Sequence, residues 1–133
     1  MTAETGVIPT AEAVALRIGS GAVEVKESYR RLREKRLLWL EPDQETIRMA
    51  PPFSGVPTQH RVSVGTVGYY ANCAWDALAI PAALRRPGRV LSECAESREP
   101  LRLEVGLDGP EPSDWLFHCL VPAAKWWDDL VYT

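Results

Sequence analysis

Three prolines and one glycine lie within residues 51–57 and divide this 133-residue chain into two parts. A helix or strand is not expected to run through such a stretch, because proline lacks a backbone N–H and glycine favours turns. The break predicts an N-terminal module over residues 1–50, a connector over 51–59 and a core over 60–133. The residues responsible are Pro51, Pro52, Gly55 and Pro57.

The N-terminal module begins with two predicted helices. Thr10 can cap a helix over residues 11–18, and Gly19 can end it. Ser20 can cap a second helix. The first nine residues are polar and are expected to be frayed. The buried stripe of the second helix is predicted from the i, i+4, i+7 spacing of Val25, Tyr29 and Leu32.

A hairpin follows the two helices, with strands over residues 37–40 and 46–49 and a turn between them. Helix, turn, helix and hairpin is the order of a winged-helix module. The second helix ends in a basic run, which would suit DNA contact by a recognition helix. Three glutamates share that helix and dilute its positive field, so nucleic acid is not the expected partner. The basic residues are Arg30, Arg31, Arg33, Lys35 and Arg36, and the acidic ones are Glu24, Glu27 and Glu34.

The sequence of the core predicts several strands and one central helix. Apolar and polar side chains alternate over residues 60–64 and 67–71, which predicts two half-buried strands. His60 is expected at the surface. A helix should run from Cys73 to about Leu84, although Pro81 should kink it or end it early. The remaining predicted elements are a hairpin with strands 90–95 and 101–105, a loop over 106–113, a strand over 115–121, a helical turn over 125–129 and the start of a strand at 130–133.

Cys73 and Asp76 are the candidate reactive groups of this core. Asn72 can cap the central helix, which places the Cys73 thiol in the first turn. There, free N–H groups and the helix dipole stabilise an anion, so a lowered thiol pKa is expected. Asp76 follows three residues later on the same face. Both residues could instead have only a structural role. Cys73 would then be a small buried side chain, and the charge of Asp76 would stabilise the first turn of the helix.

The composition argues against several classes of protein. The formal net charge is −3, which does not favour a surface built for nucleic acid. No apolar run is long enough for a membrane span, and residues 1–10 do not resemble a signal peptide, so a cytoplasmic protein is expected. The three cysteines are odd in number and form no Cys-x-x-Cys motif, so they are expected to be reduced thiols.

The chain resembles the organomercurial (alkylmercury) lyase family, and the block Cys73-Ala74-Trp75-Asp76 carries the resemblance together with its flanks. It extends over roughly residues 9–133. The resemblance implies an α+β fold in which a winged-helix-like module packs on a small, mostly antiparallel sheet with a helix. The matching segments are 49–54, 72–78, 80–82, 90–95, 121–122 and 126–129.

The resemblance also implies an enzyme that cleaves the carbon–mercury bond of a small organometal substrate. Cys73 would be the attacking thiol, since Hg(II) is soft and prefers sulfur, and Asp76 would deliver the proton. No organic cofactor is needed, and Hg(II) would be the product or a bound ion. Aromatic residues near the end of the chain would line the core and the cavity wall; these are Trp115, Phe117, Trp126, Trp127 and Tyr132.

One departure from the family concerns the second catalytic cysteine, which would fall at or just after Thr133. Cys94 matches a further cysteine of the family, and Cys119 lies where the family pattern has none. Cys73, Cys94 and Cys119 are therefore the candidate metal ligands, provided that the fold brings a second sulfur close enough to Cys73 for one Hg(II) to bridge both.

Three functions stay open at this point. The first is an organomercurial lyase-like protein that binds soft organometals at Cys73, with or without cleavage. The second is a member of the same fold that performs another reaction, such as a thiol- or acid-dependent biosynthetic step. The third is a winged-helix regulator that binds DNA or senses metal. An unpaired final strand would also allow a homodimer.

Overall fold

The computed structural model describes residues 1–119 and 121–128, and it has the predicted α+β composition. Its strands form two antiparallel sheets, one of three strands and one of four. The first sheet belongs to the N-terminal part, and the second carries the central helix. None of the helices in residues 1–119 and 121–128 is long and apolar enough to cross a bilayer.

Three helices open the chain: α1 (Thr2–Thr5), α2 (Ala11–Ile18) and α3 (Ala22–Glu34). The predicted bounds of α2 are confirmed. The Thr10 hydroxyl accepts a hydrogen bond from the Ala13 N–H at 3.3 Å, and Gly19 ends the helix with φ +69°. The capping residue of α3 is Gly21 rather than Ser20, which instead donates its hydroxyl hydrogen to Glu24 at 2.5 Å.

The first residues are not frayed as expected. Helix α1 lies against the second sheet, where the Tyr69 hydroxyl donates to the Ala3 carbonyl at 2.7 Å. Gly6 ends α1 with φ +75°. It lies so close to the Gly68 carbonyl that a Cβ at this position would overlap that oxygen. The prediction was wrong because this anchor is a contact with residues more than 60 positions away in the sequence.

The first sheet has the order β1 (Trp39–Leu40), β2 (Ile47–Ala50) and β3 (Phe53–Ser54). Strands β1 and β2 form the predicted hairpin. Strand β3 lies inside the proline-rich connector, where no strand was predicted, and it pairs with β2. The winged-helix assignment and the domain boundaries stay predictions. The core of this part consists of Ala11, Ala15, Val25, Tyr29, Leu38 and Leu40.

The second sheet has the order β5 (Val67–Tyr70), β4 (Arg61–Val64), β6 (Gly88–Glu93) and β7 (Pro100–Val105). Helix α4 (Ala74–Leu84) contacts β4 and β6, and it continues through Pro81 instead of ending early. Alternation along the strands turns their apolar side chains toward α4. The buried core is formed by Val62, Val64, Tyr69, Ala71, Ala77, Ile80, Val90 and Val105.

The end of the chain differs from the prediction. Residues 111–119 form neither helix nor strand, so the strand predicted over 115–121 is wrong for the residues described there. Its large apolar side chains remain exposed, and a strand needs a neighbouring strand with which to pair. A short 3-10 helix over Ala123–Lys125 precedes the predicted turn, in which the Asp128 N–H donates to the Lys125 carbonyl at 3.0 Å. Residue 129 lies outside the described residues. The strand predicted from residue 130 lies outside the described residues.

Candidate active site

The candidate site begins where β5 ends, and hydrogen bonds fix this strand end. The Ala71 N–H donates to the His60 carbonyl at 3.0 Å, and the Thr58 hydroxyl donates to the Ala71 carbonyl at 2.6 Å. Ala71 is completely buried and also bridges Phe53 of the first sheet. Cys73 therefore follows a backbone segment that is held on two sides.

Cys73 is the capping residue of α4, not a residue of its first turn. Its backbone is extended, and its carbonyl accepts the Ala77 N–H at 3.0 Å, so the helix begins at Ala74. The prediction of Asn72 as the cap is therefore wrong by one residue. The thiol still lies at the helix start and is half-buried.

Burial decides the ionisation of Cys73. It raises the pKa of the thiol above its ordinary value of 9.0, and the nearby Asp76 carboxylate raises it further. The backbone N–H groups of Asp76 and Trp75 act in the predicted direction and favour the thiolate, but they are outweighed. The predicted lowering of the Cys73 pKa is therefore wrong, and the protonated thiol is favoured at neutral pH.

Asp76 lies in the first turn of α4 and is half-buried. Burial raises the pKa of its carboxyl group, whereas a hydrogen bond from the Cys73 thiol lowers it. The structure thus places the two predicted reactive groups at the start of the same helix, close enough for each to shift the pKa of the other. A neighbouring thiol and carboxyl group can exchange one proton, which is the property that a proton-transfer site needs.

The other two cysteines lie elsewhere in the fold. Cys94 follows β6, and its pKa is lowered by the hydroxyl and N–H of Ser97 and the N–H of Glu96. Cys119 is exposed, and its thiol donates to the Val121 carbonyl at 2.9 Å. In residues 1–119 and 121–128, no three His, Cys, Asp or Glu side chains form a group that could hold a metal ion. The role of Cys94 and Cys119 as mercury ligands stays a prediction.

His60 and Ser92 form a contact that the sequence reasoning missed. His60 directly precedes β4, and its Nδ1 lies 2.7 Å from the hydroxyl oxygen of Ser92 in β6. His60 is half-buried rather than at the surface, and burial lowers its pKa. The alternation that buries Val62 and Val64 places His60 on the same face and could have revealed this.

The aromatic residues near the end of the chain contact both parts of the fold. Trp75 pairs with Phe117 at a ring-centroid distance of 5.8 Å, and Trp39 pairs with Trp127 at 6.3 Å. Trp115 and Phe117 remain partly exposed rather than forming a closed core. Tyr132 lies outside the described residues.

Much of the basic run of α3 is engaged within the molecule. Arg30 forms an ion pair with Glu45 at 3.4 Å, and the Arg33 guanidinium lies 5.3 Å from the centre of the Trp39 ring. Arg31 donates to the Ser28 hydroxyl at 2.9 Å. These contacts give the cations a structural role, so the run does not require a nucleic-acid partner to explain it.

Two surface depressions are the best formed in the described part of the chain. One, of about 220 Å³, lies between the N-terminal segment, α3 and the first hairpin. The other, of about 410 Å³, lies beside β4 and β6 and is lined by Thr58, Arg61 and Glu93 among others. Neither is lined by Cys73 or Asp76, and both of these residues are half-buried.

Comparisons with known proteins agree with this architecture. The family model "MerB: Alkylmercury lyase" matches residues 53–133. Alkylmercury lyases of Bacillus cereus and Clostridium butyricum are each 30% identical over 116 residues, which is 85% of this chain and 51% of each relative. The alkylmercury lyase of Staphylococcus epidermidis is 30% identical over 125 residues, which is 92% of this chain and 55% of the relative. The chain therefore spans about half the length of these relatives.

A solved structure shares the fold. It is described as the mercury-bound form of MerB2 and superimposes with a TM-score of 0.65 at 22% sequence identity. The match covers 85% of this chain and 54% of that one. This likeness confirms the α+β fold class.

Proposed function

Because this chain belongs to the alkylmercury lyase family, we propose that it binds organomercury compounds through Cys73 and cleaves their carbon–mercury bond with a proton from Asp76. The observation that carries this proposal is the placement of Cys73 and Asp76 at the start of α4, where each side chain shifts the pKa of the other. It supplies a soft ligand and a proton carrier within one helical turn.

In the first step, mercury binds to sulfur. Hg(II) is a soft ion and binds thiolate in preference to oxygen ligands. Because the Cys73 thiol is favoured in its protonated form, its proton must leave when the mercury–sulfur bond forms. The Asp76 carboxylate accepts that proton, since it already accepts the hydrogen bond from the thiol. Burial stabilises the resulting neutral acid.

In the second step, the carbon–mercury bond breaks. Its electron pair takes the proton from the Asp76 carboxyl group, so a carbon–hydrogen bond forms and the hydrocarbon leaves. Asp76 returns to its carboxylate form, and Hg(II) remains on the Cys73 sulfur. Neither mercury nor sulfur changes its oxidation state. The proton that left the thiol is the one that reaches carbon, so the two steps balance.

A second sulfur ligand would accelerate the cleavage, because it adds electron density to mercury and weakens the bond to carbon. A free thiol from solution can supply it. Cys94 and Cys119 are the candidates within the chain, and hydrogen bonds from Ser97 lower the pKa of Cys94, which favours its thiolate. We place this chemistry in the cytoplasm, where cysteines stay reduced.

The test is the release of benzene from phenylmercury acetate in the presence of excess free thiol, measured by gas chromatography. We expect release above a protein-free blank, and we expect Cys73→Ser to reduce it to that blank. The unfolding midpoint of Cys73→Ser would show that the fold is intact. Cys94→Ser and Cys119→Ser, assayed without free thiol, would identify an internal second ligand.

Two results would contradict the proposal. Mercury binding without benzene release would leave a scavenger or a family member with another reaction. Release that survives in Cys73→Ser would place the chemistry elsewhere.

A salt-sensitive shift of duplex DNA, lost on neutralising Arg30 and Arg31, would favour the regulator instead.

A further inference from the structure

Trp75 is the one aromatic residue in the first turn of α4, the same turn that carries Asp76 and follows Cys73. Its side chain is 55% exposed. Large aromatic side chains gain free energy when they leave water, so an indole that stays half exposed beside two reactive groups is available for a further contact.

Phe117 makes this position a two-ring surface. Its ring lies 5.8 Å from the Trp75 ring at an angle of 51°, and it is itself 47% exposed. This separation is typical of paired aromatic rings. The irregular segment 111–119 therefore places Phe117 against the first turn of α4. Together the two half-exposed rings form an apolar wall, the Trp75–Phe117 wall, beside the turn that carries the thiol and the carboxyl group.

The chemistry of the proposed reaction brings the organic group of the substrate toward this wall. Two-coordinate Hg(II) is linear, so the carbon atom lies on the side of mercury opposite the Cys73 sulfur. The same carbon must also reach the Asp76 carboxyl group to receive a proton. Trp75 and Asp76 belong to the same helical turn, so an organic group larger than methyl can reach from the carboxyl group to the indole. A methyl group is too small to cover either ring.

We infer that the Trp75–Phe117 wall binds the organic group and gives the protein a preference for arylmercury over methylmercury substrates. This inference rests on the proposed function. An aryl ring can stack on the exposed ring faces and remove apolar surface from water, whereas methyl cannot. Aromatic pairs of this kind correspond to a preference of roughly two- to tenfold, in addition to the effect of the area buried.

The test compares kcat/KM for phenylmercury and methylmercury, followed by benzene and methane release. We expect Trp75→Leu to lower kcat/KM for phenylmercury about tenfold while changing that for methylmercury less than twofold. Phe117→Leu should act in the same direction. Leu116→Ala is the control, because Leu116 is on the same segment and 94% exposed. Equal losses with both substrates, or no loss with either, would overturn the inference.

A binding measurement separates this inference from the proposed function. Phenylmercury and methylmercury can be competed for the protein against a common small thiol, whether or not cleavage occurs. We expect the wild-type protein to favour phenylmercury and Trp75→Leu to lose that preference. The preference and its loss can be seen even if neither substrate is cleaved. That result would contradict the lyase proposal and support binding of the organic group by the Trp75–Phe117 wall. An equal affinity of the wild-type protein for both compounds would contradict the inferred role of the Trp75–Phe117 wall.

Discussion

The Asp76 carboxylate raises the pKa of the Cys73 thiol, whereas the hydrogen bond from that thiol lowers the pKa of Asp76. The contact therefore favours one arrangement, with the proton on sulfur and the charge on the carboxylate. In the proposed reaction, binding of mercury to Cys73 would reverse this arrangement, because it removes the proton from sulfur.

The order in which the cysteines react with an alkylating agent should reflect their ionisation. Only the thiolate reacts, so we expect the alkylation rate of Cys73 to keep rising beyond pH 9.0, its ordinary pKa. The rate of Cys94 should level off below pH 9.0, because hydrogen bonds lower its pKa. Iodoacetamide labelling across pH, read by peptide mass spectrometry, measures both. A plateau of Cys73 below that of Cys94 would contradict the assignment.

Replacement of Asp76 by asparagine should have two opposite effects. The Cys73 pKa should fall, because both effects of the carboxylate side chain raise it, and alkylation of Cys73 at pH 8 should become faster. Benzene release should fall at least about 100-fold, because the proton carrier is gone. Asp108→Asn is the matched control, since Asp108 is exposed in a loop. Slower alkylation in Asp76→Asn would refute the coupling.

The Thr58 hydroxyl should matter for the strand end that leads to Cys73. Thr58→Val keeps the shape of the side chain but leaves the buried Ala71 carbonyl without its hydrogen bond at 2.6 Å. We expect the free energy of unfolding to fall by about 1–3 kcal/mol. Thr58→Ser should recover most of that loss in urea titrations. Equal stabilities of the valine and serine variants would show that the hydroxyl contributes nothing.

Two isoleucines offer a matched pair for the core. Ile80 of α4 is completely buried, so Ile80→Ala should lower the free energy of unfolding by about 2–5 kcal/mol through the cavity it leaves. Ile18 is 64% exposed, and Ile18→Ala should change it by less than about 0.5 kcal/mol. Urea denaturation of both variants measures the difference. Similar losses would mean that the packing of α4 on the sheet is wrong.

Two glycines at helix ends offer a second matched pair. Gly6 and Gly19 both have positive φ, at +75° and +69°. An alanine at Gly19 has no atom within 4 Å and should cost only the backbone strain, about 1–2 kcal/mol. An alanine at Gly6 also overlaps the Gly68 carbonyl and should release α1 from the sheet. Hydrogen exchange of residues 2–7 should accelerate in Gly6→Ala and stay unchanged in Gly19→Ala.

The sequence predicts elements that depend on local signals. Helix α2 has both of its ends marked, by a capping threonine and a terminating glycine, and its bounds are correct. The strands before the central helix are also recovered, because their apolar residues alternate. The central helix is recovered from the signal at its start, although the cap lies one residue later than predicted. Placing Cys73 and Asp76 on one helical turn needs only their spacing.

The errors concern properties that arise from distant parts of the chain. Strand β3 is two residues long and exists through its pairing with β2. The strand predicted over 115–121 has the right composition, yet residues 111–119 are irregular, and Phe117 pairs with Trp75 of α4 instead of a neighbouring strand. The sign of the Cys73 pKa shift was wrong because the helix start is visible in the sequence, whereas burial of the thiol depends on tertiary packing.

All three cysteines are free, and they differ in exposure and acidity. Mercury titration of the wild-type protein would therefore count up to three equivalents, and the stoichiometry alone would not report on Cys73. A variant that retains only Cys73 turns the same titration into a measurement of one sulfur. Comparison of the two curves would also reveal any equivalent that two sulfurs share.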